Sequence, residues 1–151
     1  MNTDLRQCIK AIVRNPAWTS FTWLGMTAGV SLLATPLRFG AETITRPVAL
    51  DVGRVVFSGL NKAEFIALII VLIQLRVSGN SKALWIPVFA LALILIAQAA
   101  WLLPELSART DIVIAGGEPP PSIAHAAYST LELAKLVLLA FTGFRSLQLL
   151  R

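Results

Sequence analysis

An all-α integral membrane fold is what this sequence predicts: a four-helix transmembrane bundle preceded by a short amphipathic N-terminal helix. Three observations carry that expectation. Of 151 residues, 56% are hydrophobic and 14% charged, with a mean hydropathy of +0.75, more apolar side chain than one water-soluble core of this size can bury. The apolar residues also gather into stretches long enough to cross roughly 30 Å of hydrocarbon as helices. Finally, the basic residues flank those stretches and form no dense patch interleaved with exposed aromatics. The formal charge of +5 therefore reads as membrane flanks, with the lipid bilayer as partner and no nucleic acid.

The chain reads as one domain over residues 1–151, without a second domain or a regular repeat. Leu5, Cys8, Ile9, Ile12 and Val13 recur at helical spacing, Arg6, Lys10 and Arg14 form a basic row opposite, and Asn2, Thr3 and Asp4 supply a cap. Residues 1–16 thus predict an interfacial helix, either a helical basic flank or a lipid- or partner-docking element. No continuous apolar run precedes Pro16 and no A-x-A-like cleavage signal is present, so this segment does not read as a removable signal peptide.

The first span covers about residues 17–37, with Trp18 and Trp23 near its start and Pro36 near its end. Gly25 and Gly29 form a GxxxG pair flanked by Thr22, Ala28 and Ser31, which predicts close helix packing, chiefly within the molecule and otherwise between copies. Thr45 and Pro47 read as N-cap and N1 of a second helix running to Arg76 or Val77, about 45 Å long, where Gly79 and Asn80 stop it. Its first half is amphipathic, with Asp51, Arg54, Ser58 and Asn61 on one face, and the span proper lies at about 60–77. Gly53 and Gly59 leave a bend as the alternative. The third span, about 84–103, carries one polar side chain, Gln98, expected to help helices pack, and Pro104 is expected to stop it. Glu105 to Pro121 then reads as an exposed loop, with three prolines stiffening its end. The fourth span lies at about 122–144.

Four spans place both termini on one side. Arg6, Lys10, Arg14, Arg76, Lys82, Arg145 and Arg151 all fall there, and the third loop is net acidic, so both termini are expected in the cytoplasm. Arg38, Arg46 and Arg54 in or beside the first loop blur the contrast.

The chemistry-bearing residues lie on the last helix. His125, Tyr128, Glu132 and Lys135 fall at i, i+3, i+7 and i+10, one polar stripe about 80° wide that enters lipid. The second and fourth helices run in the same direction, so counting back from Arg76 and Arg145 puts Glu64 about 18 Å deep and Lys135 about 15 Å, while Lys62 and Glu132 both lie about 20 Å deep. Lys62 and Glu64 point about 200° apart, so one of the pairs Glu64–Lys135 or Lys62–Glu132 is expected, with Glu132–Lys135 available at i, i+3. Two meanings stay open. The charges are interhelical glue, or they form a polar cavity open to the outer face, with Arg54, His125 and Tyr128 at its mouth and Glu64, Glu132 and Lys135 at its floor. Such a cavity would hold an ion, a proton or a small solute.

One cysteine and one histidine give no internal disulfide and no metal-ligand cluster, and a bis-histidine haem would need a second chain. No cofactor is expected. No nucleophile elbow, phosphate loop or HExxH sequence occurs, so the chain is not read as an enzyme. The competing class is an accessory subunit, docking a second copy or a larger membrane complex through its basic N-terminus and GxxxG face.

The segments WLGMTAGVSLLATPLRF, DVGRVVFSGLNKAEFIALII and LLPELSAR, followed by HAAYSTLELAKLVLL, resemble a family of four-helix membrane proteins, domain of unknown function 4149. That family includes the transmembrane protein 205-like proteins and is loosely similar to CopD-like copper-resistance proteins. The matching points are Gly25, Pro36 and Phe39, then Gly53, Phe57 and Glu64, then Pro104, Arg109, His125, Tyr128 and Glu132. The resemblance implies a four-helix bundle in the bacterial inner membrane with a link to metal or drug tolerance, and no established reaction. One internal histidine departs from a copper or haem site.

Overall fold

The computed structural model describes residues 13–78 and 82–149, and every described element is helical. The interfacial helix expected over residues 1–16 and the stop at Gly79 and Asn80 lie largely outside the described residues. Asn15 opens the first rod: its Oδ1 accepts from Ala17 N at 2.8 Å and Pro16 occupies the first turn, where a missing N–H costs nothing. The rod consists of α1 (Pro16–Ala28), a π-helical stretch (Gly29–Ala34) and α2 (Thr35–Phe39). The second rod is a single helix, α3 (Arg46–Ser78), of 33 residues and about 50 Å, unbroken at Gly53 and Gly59. The third joins a 3₁₀ turn (Lys82–Leu84), α4 (Trp85–Ala97), a π-helical stretch (Gln98–Leu102) and α5 (Leu103–Ile114). The fourth is α6 (Ala124–Gln148).

Pro104 does not stop the third span. A proline ring clashes with the carbonyl four residues back and offers no N–H. Here the chain relieves the clash by widening the preceding turn, with Leu103 N–H donating to Gln98 O, five residues back. Helix then continues to Ile114, so the expected loop over 105–121 shrinks to residues 115–123. Pro36 is treated in the same way, with Thr35 N–H donating to Val30 O. The third rod ends where Gly116 turns at φ +83° and Gly117 N–H returns to Ile112 O at 2.9 Å.

Among the described residues three helices are long and apolar enough to cross a membrane: Arg46–Ser78, Lys82–Ile114 and Ala124–Gln148. The first rod is not among them, because Thr19, Ser20, Thr22, Thr27, Ser31 and Thr35 dilute its hydropathy. The exterior is apolar as well. Ile66, Ile73, Ile86, Phe89, Val137 and Phe144 are all more than half exposed, an outer surface that suits lipid and that a solvated protein rarely keeps.

The first rod packs on the second and the fourth, and the third packs on the second and the fourth. Neighbours run antiparallel: Asn15 Nδ2 donates to Ser146 O at 2.9 Å, Phe21 meets Phe144 edge to face at 5.1 Å, and Ser31 reaches Glu132. At the end that holds both termini, Gln74 Nε2 donates to Val13 O, Ser78 Oγ donates to Arg14 O, and the Arg14 guanidinium reaches Val77 O. Trp23, Leu68, Val71, Leu75, Leu84, Val88, Leu91, Leu95 and Leu139 form an apolar core on this side. A smaller core of Leu102, Ala124 and Tyr128, with Phe57 against Tyr128 at 5.3 Å, lies toward the loops. Between them sits a layer of charge.

The GxxxG glycines do not make the close intramolecular contact expected of them. A Cβ added at Gly25 or Gly29 would meet nothing within 4 Å, because the first rod turns its Trp23–Thr27–Ser31 face inward and leaves Gly25 exposed. Close approach is instead made at Gly143, where a Cβ would lie 2.8 Å from the Phe21 ring, and at Gly53, where it would lie 2.5 Å from the Arg38 guanidinium.

Candidate functional site

The buried charge layer is built from four rods. The last helix brings Glu132 and Lys135 to its inner face one turn apart, and α3 brings Glu64 to the same level. Lys135 Nζ donates to Glu64 Oε1 and Oε2, both at 2.7 Å, and contacts Glu132 Oε1 at 2.6 Å. All three N–H groups of the ammonium are thereby used. The Lys135 and Glu64 side chains are fully buried and that of Glu132 is 5% exposed.

Neutral donors complete the layer. Trp23 Nε1–H and the Thr27 hydroxyl donate to Glu64 Oε1 at 3.0 and 2.9 Å. Gln98 Nε2 donates to Glu132 Oε1 at 2.9 Å, and the Ser31 hydroxyl donates to Glu132 Oε2 at 2.7 Å. Ser31 and Gln98 both lie in the π-helical stretches. The two widened turns thus close on one carboxylate from opposite sides. Two carboxylates against one ammonium leave the ionised layer with one negative charge, which its neutral donors partly offset.

Of the expected site residues, Glu64, Tyr128, Glu132 and Lys135 come together, and Gln98 joins them as the hydrogen-bonding group it was taken for. Glu64–Lys135 is the pair that forms, while Lys62 is exposed. Arg54 and His125 do not join. Arg54 lies about ten residues up the helix, donating to Asp51 Oδ1 at 2.7 Å and pairing with Asp111, an exposed ion pair that solvent screens. His125 is exposed one turn before Tyr128. Among the described residues, then, Arg54 and His125 do not line a common mouth with the buried charges, and Tyr128, Leu102 and Ala124 pack together on the loop side of the layer.

Sequence reasoning missed Trp23, Thr27 and Ser31. Their signal was present in the i, i+4, i+8 spacing, which puts three donors on one face of the first rod. Three buried polar atoms in or near the layer have no partner: Tyr128 Oη, Gln98 Oε1 and Asn61 Nδ2. The Tyr128 hydroxyl lies beside the Glu132 carboxylate. Among the described residues no group of three or more His, Cys, Asp or Glu side chains is placed to hold a metal ion. No family model, curated protein or solved structure matches the chain.

Proposed function

We propose that this is a four-span protein of a bacterial inner membrane, both termini cytoplasmic, that takes up one positive charge at the Glu64–Lys135–Glu132 triad without performing a reaction. The carrying observation is that two buried carboxylates share one ammonium. A structural pair needs only Glu64 and Lys135, which match in charge. Glu132 is surplus to that balance, and an uncompensated ionisable group at such depth is costly unless a bound proton, cation or solute offsets it.

Orientation is supported by the two ends. In the sequence the N-terminal segment, the second loop and the tail carry Arg6, Lys10, Arg14, Arg76, Lys82, Arg145 and Arg151, against Arg38, Arg46, Arg54 and Arg109 toward the first and third loops. The resemblance to domain of unknown function 4149 fits the same reading, and tolerance to a toxic ion or small solute is the role it would imply.

Vesicles containing the full chain and an enclosed pH- or ion-sensitive dye test the proposal. Wild type should pass protons or small cations, and Glu132→Gln should stop uptake while its melting temperature stays close to wild type. Equal uptake by both would sink the idea. An accessory role is the second reading, favoured by the open face at Gly25 and Gly29. Under that reading Gly25→Leu abolishes crosslinking to a second copy or a larger complex, while Glu132→Gln leaves it intact.

A further inference from the structure

We infer that Glu132 anchors an alkali-cation site, completed by Ser31 Oγ, Tyr128 Oη and Gln98 Oε1, beside a Glu64–Lys135 pair that stays compensated throughout. This rests on the one-charge reading above and names the species taken up.

The assignment starts from the division of partners. Glu64 receives two N–H bonds from Lys135 and one each from Trp23 and Thr27. Glu132 receives Lys135 and Gln98 on Oε1 and the Ser31 hydroxyl on Oε2. On two residues beside Glu132 stand buried oxygens that accept no hydrogen bond: Tyr128 Oη, on a residue 4% exposed and one turn before Glu132 on α6, and Gln98 Oε1, on a fully buried residue whose amide nitrogen bonds Glu132 Oε1.

Native interiors rarely leave such oxygens without partners, and here both belong to residues beside Glu132, which shares its one ammonium with Glu64. All four atoms are oxygen, the donor type that hard cations prefer. The charge count selects valence: a single positive ion brings the layer to neutrality, whereas a divalent ion would leave a buried positive charge. Ser31 and Gln98 are both carried by π-helical turns, a local geometry found frequently at functional sites. Lys135, Glu64 and Tyr128 are the titratable groups facing Glu132, and the first and third rods contribute only neutral side chains to it.

The test is thermal unfolding of the detergent-solubilised full chain at fixed pH and ionic strength, in choline chloride, sodium chloride and potassium chloride. Sodium or potassium should raise Tm by several degrees, saturating with concentration, because a ligand that binds only the folded chain stabilises it by mass action. Ser31→Ala and Tyr128→Phe should each move the half-saturating concentration upward by about tenfold, the weight of roughly one lost oxygen contact. Glu132→Gln should abolish the response. Identical Tm values in all three salts, or equal alkali responses in wild type and Glu132→Gln, overturn the inference. If vesicles still pass protons under the first outcome, the one-charge reading stands with a proton as cargo, whereas absence of both removes the two together.

Discussion

The half of the molecule beside the termini and the half beside the loops are made from the same four rods but packed on different principles. On the terminal side, Leu68, Val71, Leu75, Leu84, Val88, Leu91 and Leu95 interleave between regular α-helices. On the loop side the first and third rods are widened by π turns and carry Pro36 and Pro104, the apolar core shrinks to Leu102, Ala124 and Tyr128, and Arg54 bridges Asp51 and Asp111 at the surface. The charge layer sits at the boundary. One half provides a rigid base for Lys135 and Glu64, while the other supplies the hydrogen bonds that hold Glu132, from turns with weaker internal bonding. A difference in deformability between the halves follows, and substitutions can break or sharpen it.

The largest effect should come at the boundary itself. Lys135→Met leaves two buried carboxylates facing each other and should destabilise the chain by about 3–5 kcal/mol, read as a collapse of the melting temperature in detergent. Replacing Glu64 and Glu132 with Gln in the same chain should recover most of that loss, because no unpaired charge then remains. Next, Leu91→Ala in the terminal half opens a cavity in a closely packed region and should cost about 2–5 kcal/mol. Leu102→Ala on the loop side should cost less if that half relaxes more readily, and equal losses in the two melts would erase the contrast. Gly143→Ala drives a methyl into the Phe21 ring and should cost about 1–3 kcal/mol. Gly25→Ala meets nothing and should be neutral or slightly stabilising by helix propensity. The smallest change belongs to Arg54→Ala, a small loss of melting temperature that vanishes at high salt, which a melt at two ionic strengths would detect.

Much of this arrangement is legible in the chain. The depth count brings Glu64 and Lys135 to one level, and Thr45–Arg46–Pro47 marks the start of the second helix, because hydropathy, capping and axial rise are local properties. What stays hidden depends on other rods. Pro104 looks like a helix stop when read alone, and only the widened turn over Gln98–Leu102 lets helix continue. Gly25 and Gly29 look like a packing face, but the direction of the first rod is decided by Trp23, Thr27 and Ser31 finding carboxylates on other helices. His125 and Arg54 share spacing with the stripe, yet they sit near helix ends beyond the reach of the buried donors.

The π turns over Gly29–Ala34 and Gln98–Leu102 carry a consequence for how the gene can change. A turn closed five residues back holds one residue more than a turn closed four back, so each stretch behaves as a single-codon insertion in an otherwise α-helical rod. Deleting one residue, Leu33 or Ala100, should restore regular helix and leave the flanking turns in register. The turn that presents Ser31 or Gln98 would narrow and shift that side chain relative to Glu132, while composition, hydropathy and span length stayed almost unchanged.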